Sequence, residues 1–326
     1  MKKRYILAII VILFTGSTIH AFEDRDSRQN LQVTYFDDAG NVVREARYYS
    51  EQKARELQCV KKISYYGLNG DITHVAKYFT PEKSSQIGDY MHISFFDRKG
   101  RTVRIEKHHN QEKTHKEQVI KTVLYLNEQN KVDRIERFST DQKIESSRIT
   151  KVIDKIGKSG KATESVVYFA ADPDGITPLY QQITIFNEQG EKVQLITDYV
   201  NRESNELGYY KSIFSFDAKS RKKKEEWFMT EVFKRDEQIE KMTFHFDANG
   251  KKTRQEIYPT ETGIRRFGVS KTVFFYNGSG EKIKMIRDYT PEQLDQKGYL
   301  QSVTYFNSDE SVVREEFYDD KNRLIR

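Results

Sequence analysis

Residues 93–100 read Ile-Ser-Phe-Phe-Asp-Arg-Lys-Gly, and residues 243–250 read Thr-Phe-His-Phe-Asp-Ala-Asn-Gly. The same eight-residue pattern opens at 33, 63, 93, 123, 153, 183, 213, 243, 273 and 303, always 30 residues after the last and without insertion or deletion. Self-similarity at a fixed period marks an array in which each repeat is one supersecondary unit. The first position is Val or Ile in nine copies, the exception being Thr243, and the fourth is always large and apolar, from Phe36 and Tyr66 to Tyr276 and Phe306. The fifth is Asp or Asn in eight copies and Gly at Gly67 and Gly157. The eighth is Gly at Gly40, Gly70, Gly100, Gly160, Gly190, Gly250 and Gly280, with Asn130, Ser220 and Glu310 in the other copies. An Asx residue followed three places later by Gly is a type I turn closed by a left-handed residue, which returns the chain as a hairpin. The turn acids Asp37, Asp97, Asp217 and Asp247 are therefore read as bonding the turn backbone. Asn130 tolerates the left-handed conformation, whereas Ser220 and Glu310 carry strain there.

A second strand follows each turn. Four residues after the turn position the chain is mostly basic or polar, at Arg44, His74, Arg104, Arg134, Gln194, Lys224, Arg254, Lys284 and Arg314. Eight residues after it an aromatic recurs in seven copies, Tyr48, Tyr78, Phe138, Tyr168, Phe228, Tyr258 and Tyr318, and Tyr199 and Tyr289 follow one place late. These rings are expected to pack on the core. Connectors then open with Ser50, Thr80, Asn110, Thr140, Thr230, Thr260 or Thr290, and Thr80-Pro81-Glu82 and Thr290-Pro291-Glu292 carry a cap, a first-turn Pro and an acid. One or two helical turns are expected there. The connectors are expected to fold across one sheet face and supply its second layer.

Composition agrees with strands. Hydrophobic residues make up 37% of the 326 residues, but 20 Tyr and 20 Phe raise aromatics to 13%, and only five residues are Pro. Disordered chains are poor in such residues, and pleated strands are rich in them. Residues 1–21 read separately as a secretory signal, with basic Lys2-Lys3-Arg4, an apolar core from Tyr5 to Thr15, and small Ala21 at the cleavage position. An uncleaved N-terminal anchor is the alternative. Residues 22–326 then form a single repeat domain of ten units, in an exported protein that is periplasmic, secreted or on the cell surface. The signal carries three of the 55 basic residues, leaving 52 against 49 acids, a balance of +3. Nucleic-acid binding wants a clustered basic face and is not expected. The run Arg221-Lys222-Lys223-Lys224 meets Glu225-Glu226 at once and reads as a solvated hairpin end. Cys59 is the one cysteine, so no disulfide framework exists, and it stands in a column shared with Val119, Ile149, Leu179, Ile239 and Val269. It reads as a small buried residue.

The segments FFDRKGR (95–101) and HFDANGK (245–251) resemble the hairpins of YD-type and MORN-like repeats of bacterial proteins. The resemblance covers the strand–turn–strand part of every copy. The period here is longer, and the Gly-rich strand pattern of MORN units is missing. Those families imply a hairpin-built scaffold with repeated interaction surfaces and no single activity, so no functional residue is carried over.

Two strands per copy give about twenty strands, and at roughly 4.8 Å spacing one ladder would run about 95 Å. Open sheets rarely exceed about ten strands without curling or splitting. The expected fold is therefore all-β, an elongated open solenoid or superhelical sheet of hairpins. The alternative is a closed propeller-like ring, whose blades take four strands and about 40 residues. The polar tail Asp319–Arg323 is expected to cap the end.

The chain holds no nucleophile elbow, phosphate loop or His-Glu-x-x-His motif. Asn and Gly alternate with Asp at the turns, which argues against a Ca²⁺ ladder. His92, His108, His109 and His115 form the densest imidazole group. Adjacent strand residues point to opposite faces, so His108 and His109 are read as solvated and not as a metal site. No cofactor or metal is expected. The expected function is a non-catalytic exported scaffold that binds a protein partner at the cell envelope or outside the cell. The alternatives are a glycan or peptidoglycan binder, with Trp227 as the lone indole, and a polysaccharide-acting enzyme using paired acids. No membrane span is expected after signal removal, and exposed end strands would allow end-to-end self-association.

Overall fold

The computed structural model describes residues 9–11, 30–170, 179–199 and 206–325. The segment read as a signal lies outside them, apart from a short strand β1 (Ile9–Val11) paired in parallel with Gln32–Thr34. The chain divides into two compact units, residues 1–160 and 161–326. In the first, β2 (Leu31–Phe36), β3 (Val42–Tyr48), β4 (Cys59–Tyr66), β5 (Ile72–Phe79), β6 (Asp89–Phe96), β7 (Thr102–His109), β8 (Val119–Leu126), β9 (Val132–Ser139) and β10 (Ile149–Ile156) follow one another. The second holds β11 (Ala162–Phe169), β12 (Leu179–Phe186), β13 (Lys192–Tyr199), β14 (Tyr209–Phe216), β15 (Lys222–Met229), β16 (Ile239–Phe246), β17 (Lys252–Pro259), β18 (Val269–Tyr276), β19 (Lys282–Tyr289), β20 (Gln301–Phe306) and β21 (Val312–Tyr318). Within each unit every strand from β2 onward pairs antiparallel with its neighbour in sequence. The fold is all-β and open, a meander of hairpins. Pairing runs on from copy to copy inside a unit, so no propeller blades are set apart there.

The corners repeat one geometry. At the first, Asp37 Oδ1 accepts the backbone N–H of Ala39 and of Asn41 at 3.0 and 2.8 Å, and Gly40 N–H donates to Asp37 O at 3.0 Å. Asp97, Asn127, Asn187, Asp217, Asp247 and Asn277 make the same pair of side-chain bonds. The seven corner glycines, Gly40, Gly70, Gly100, Gly160, Gly190, Gly250 and Gly280, have φ between +74° and +91°. Asn130, Ser220 and Glu310 are held at +58°, +58° and +62° without that freedom. A register shift beside nine of the corners, such as Tyr65/Tyr66, absorbs the extra residue.

The connectors fold as helices: α1 (Glu51–Leu57), α2 (Pro81–Ile87), α3 (Gln111–Glu117), α4 (Asp141–Ser147), α5 (Glu231–Glu237), α6 (Glu261–Phe267) and α7 (Glu292–Lys297). Ser50, Thr80, Asn110, Thr140, Thr230 and Thr260 cap them by accepting the N–H three residues on. Each helix ends on a left-handed residue, whether Gly88, Gly268 and Gly298 or the less suited Gln58, Gln118, Arg148 and Gln238. Successive connectors are tied by their caps: Asn110 N–H donates to Gly88 O at 2.8 Å, and Thr260 N–H to Gln238 O at 2.8 Å.

One expectation is corrected here. The helices do not form a second layer over the sheet. Seven residues span only about 10 Å. Helices α1 to α6 each back onto the strand that follows, and most of the seven bury no residue at all. Among the described residues the sheet in each unit is a single layer, and its own side chains must cover it. The middle of each strand is shut away by residues such as Ala46, Ile63, Ala76, Val123, Val273 and Val303, and strand ends under the connectors by residues such as Cys59, Val119 and Met229.

The tail does more than present polar groups. Asp319 Oδ1 accepts Lys321 N–H and Arg323 N–H, Asn322 sits at φ +56°, and Ile325 N–H donates to Phe317 O at 2.9 Å. This is the array's corner used once more, off register, and it lays Leu324 and Ile325 against the edge of β21.

Replacing Ser220 by Gly relieves a left-handed side chain and is expected to raise stability by up to about 1 kcal/mol. Gly100→Ala imposes that strain and lowers stability by a similar amount. Urea unfolding midpoints measure both.

Candidate interaction faces and the Asp89 clasp

Alternate residues of a strand share a face, so strand pairing turns each repeat column into a file that crosses the sheet. In the first unit one file sets aromatic and cation side by side, in the pairs Tyr35–Arg44, Tyr65–His74, Phe95–Arg104 and Tyr125–Arg134. The guanidinium carbons of Arg44, Arg104 and Arg134 lie 3.7, 3.6 and 3.6 Å from the ring centres of Tyr35, Phe95 and Tyr125. His74 stacks on Tyr65 at 4.1 Å and reaches Phe95 at 5.2 Å. A second file on the same face places Lys61 between Tyr48 and Tyr78, at 4.8 and 5.4 Å, and Lys121 4.8 Å from Phe138. Between the two runs the buried row Ala46, Ile63 and Ala76, which changes to Glu106, Val123 and Glu136 farther along.

Those acids are matched to the files beside them. Glu106 has Arg104 at 3.3 Å and both His108 and Lys121 at 3.4 Å. In the second unit Glu226 pairs with Lys224 at 2.9 Å and Lys241 at 3.4 Å. Glu256 pairs with Lys271 at 3.0 Å and His245 at 3.2 Å, and with Arg254 and the Tyr258 hydroxyl. Burial pushes Glu256 up, but the bonds from Tyr258 and Lys271 and the charge of Arg254 outweigh it and bring its pKa to about 2. A cation over a ring contributes about 0.5–1 kcal/mol at exposed sites, and long basic stems add apolar cover while their heads stay wet. The repeat of these small terms holds an uncovered sheet face together.

The opposite face, below the connectors, contains the least expected cluster. Asp89 opens β6 where other copies have Cys59, Val119 or Ile149, and His109 closes β7 where other copies have Phe79, Tyr199 or Tyr289. Strand register sets the two opposite each other. His109 Nδ1 lies 2.6 Å from Asp89 Oδ1, and His109 Nε2 lies 2.8 Å from Thr122 Oγ1. Asp89 Oδ2 receives His92 Nε2 at 2.8 Å, and Lys113 Nζ on α3 comes within 3.2 Å of Oδ1. The Lys113 stem crosses Gly88 so closely that a Cβ there would meet its Cδ at 2.4 Å. Burial raises the Asp89 pKa, and the bonds from His92, His109 and Lys113 outweigh it, leaving the carboxyl below its usual range.

The histidine reading is therefore corrected. His109 is buried, its side chain 1% exposed, and His92 is half-buried; of the four, only His115 is exposed. His108 does point to the other face, toward Glu106. The sequence signal was available in the two polar substitutions within apolar columns, 20 residues apart. Aspartate, imidazole and hydroxyl stand in the order of a proton relay. Both Asp89 oxygens and both His109 nitrogens are already bonded, however, and the imidazole is out of reach of a substrate. We describe the group as a clasp between neighbouring copies. Among the described residues no group of three or more His, Cys, Asp or Glu side chains is arranged to hold a metal.

The other singled-out residues are quieter. The corner acids bond their own turns, and hydrogen bonds from Arg221 lower the Asp217 pKa to about 2. In the basic run, Arg221 pairs with Asp217, Lys222 with Glu225 and Lys224 with Glu226. Cys59 is buried, and burial pushes its thiol up. Trp227 stacks on Tyr209 at 4.9 Å and meets Phe244, tilted, at 4.6 Å.

Comparison with known proteins adds no family. No family model matches the chain, and no curated protein matches it. Among solved structures it is similar to the complex titled TcdB2-TccC3 at 9% identity, over 91% of this chain and 19% of that one, with a TM-score of 0.19. It is also similar to the Photorhabdus luminescens Tc holotoxin pore carrying a TccC3 mutation, at 8% identity over 90% of this chain and 17% of that one, with a TM-score of 0.17. A porin-like protein from Bacteroides vulgatus matches at 14% identity over 63% of this chain and 90% of that one, with a TM-score of 0.14. The chain spans about a fifth of the first two. Likenesses this distant carry no argument.

Two outcomes test the clasp. Asp89→Ala leaves His109 buried without its partner and is expected to cost about 2–4 kcal/mol. The double change Asp89→Val with His109→Phe, which copies other repeats, should recover most of that loss in urea unfolding. Burial is the largest cause lowering the pKa values of His74, His92, His108 and His245 from 6.5. The unfolded chain therefore takes up protons first, and stability should fall as pH drops below about 6.5. The Asp89 contribution has the same sign at lower pH, present above 3.8 and lost as pH falls through its depressed folded value. A urea midpoint that rises between pH 7.5 and 5 would contradict this.

Proposed function

We propose that the chain is a non-catalytic exported repeat scaffold that binds a protein partner along its sheet, at the cell envelope or outside the cell. The observation that carries this reading is the single-layer sheet itself. Strand after strand presents the same half-exposed cation–aromatic files, while the acids and histidines within them are matched to neighbours. Repetition of one surface suits a partner held at many weak points, and a reaction needs one asymmetric centre. The secretory reading of residues 1–21 supports the compartment. No described helix is long and apolar enough to cross a membrane. The resemblance of the corners to YD-type and MORN-like units belongs with this reading.

A glycan-binding role has one observation in its favour. Tyr90, Tyr180 and Tyr210 occupy the same repeat position and are exposed by 45, 56 and 42%. Flat rings at a fixed register are what sugar stacking uses.

The test is capture with a lysine-reactive crosslinker from envelope and extracellular fractions, using the folded chain. The scaffold reading expects one recurrent partner with crosslinks gathered on one face of the sheet. Recovery of no partner, or crosslinks spread evenly over both faces, would count against it. A glycan array read by tyrosine fluorescence decides the second reading.

A further inference from the structure

On the face opposite the cation–aromatic files, the first unit carries another file that no role above has absorbed. Arg47, Lys62, Lys77, His92, Lys107 and Arg137 follow one another across strands β3 to β9, with Thr122 between the last two. Its ends are neutralised within the chain, Arg47 by Glu45 and Arg137 by Asp154, and His92 is bonded to Asp89. Lys62, Lys77 and Lys107 remain. Among the described residues no carboxylate lies within ion-pair distance of any of them, and Lys77 has only the Phe79 ring, 5.6 Å away. In the second unit the corresponding file is neutral up to Arg287, reading Val167, Gln182, Thr197, Ser212, Trp227, Met242, Ile257 and Thr272. The charge is therefore local to the first unit and is not a property of the repeat.

A second file lies two residues along the same strands. It runs Glu45, Ser64, Val75, Ser94, Ile105, Leu124 and Ile135, so it is aliphatic on β5 and from β7 to β9, beside Lys77 and Lys107. We propose that this paired strip, three unmatched ammonium groups beside an aliphatic row, is the docking site for an acidic amphipathic helix of the protein partner. The inference rests on the scaffold reading and names the chemistry of the partner.

Charge complementarity selects an anion, and the aliphatic row selects the kind. Acidic polysaccharide and single-stranded nucleic acid would seek a run of ring platforms beside the cations; here, among the described residues, only Phe79 lies beside them, edge-on to His92, and the row on the other side is mostly aliphatic from β5 onward. Spacing favours a helix over a strand. Neighbouring strands are about 4.8 Å apart, so the lysines of β4, β5 and β7 stand at roughly 0, 5 and 14 Å along the file. A helix laid across the strands repeats a stripe about every 5.4 Å, which puts acids at i, i+3 and i+10 close to all three lysines. An extended peptide presents one face about every 6.6 Å and misses the second lysine by nearly 2 Å, although it comes back near the third, so the helix fits all three more closely.

The experiment titrates the full chain with a synthetic peptide of about 18 residues, long enough to hold a helix, with Glu on one stripe and Leu on the adjoining one. Binding is expected to weaken about tenfold in the Lys62→Gln, Lys77→Gln, Lys107→Gln variant and to persist when the same lysines become Arg. Matched far-UV spectra and melting temperatures confirm that the variants fold. The proposal is overturned if the triple Gln variant binds as the parent does. It is also overturned if a scrambled peptide of the same composition binds equally, or if polygalacturonate or an oligonucleotide binds where the peptide does not. A crosslinked partner captured equally by the parent and the triple Gln variant would uphold the scaffold reading and overturn this one.

Discussion

A sheet with nothing stacked on it must be covered from within its own plane, and most of this molecule follows from that constraint. In a two-layer protein an aromatic side chain is hidden by the element above it. Here the Arg104 guanidinium from the next strand lies over the ring at Phe95, and the Lys61 ammonium stands between Tyr48 and Tyr78. Long basic side chains serve because the cation is drawn to the ring face and the methylenes behind it add apolar cover. The composition then makes sense. A chain with 32% charged residues and a mean hydropathy of −0.79 looks too polar for a core of ordinary thickness. It suits two wet faces, each carrying rings under cations.

The same constraint explains why acids appear in the middle row. Once a file of Arg or Lys lies on each side, a carboxylate at Glu106 or Glu256 is compensated where a lone buried charge would be costly. Where the flanking positions are less basic the row stays apolar, as at Val166 and Ile196. Acid and cation positions are thus chosen together, copy by copy.

Much of the fold was readable because its devices are local. An Asx side chain bonding two backbone amides, a left-handed residue closing the corner, and Ser, Thr or Asn opening a helix are all events within a few residues. The 30-residue period then places them in register. What escaped depends on contacts between residues far apart in the chain. Whether a connector covers the sheet is decided by its length and by what it touches, and seven residues cannot cover strands of eight. Asp89 and His109 meet only because pairing brings β6 and β7 together, so scanning the sequence for close imidazoles picked out His108–His109 and missed the carboxylate that matters. The tail corner at Asp319–Asn322 has the same chemistry as Asp97–Gly100, but it falls outside the period and was hidden by it.

The central claim, that basic stems cover this sheet as apolar matter and not merely as charge, is tested most directly at Lys61. Stability to urea should be compared for Lys61→Met, which keeps a stem of similar length, and Lys61→Ala, which removes it. The account predicts that Met stays within about 0.5 kcal/mol of the parent while Ala loses about 1 kcal/mol or more. Equal losses for the two would show that the charge alone matters, and no loss in either would show that the rings beneath need no cover.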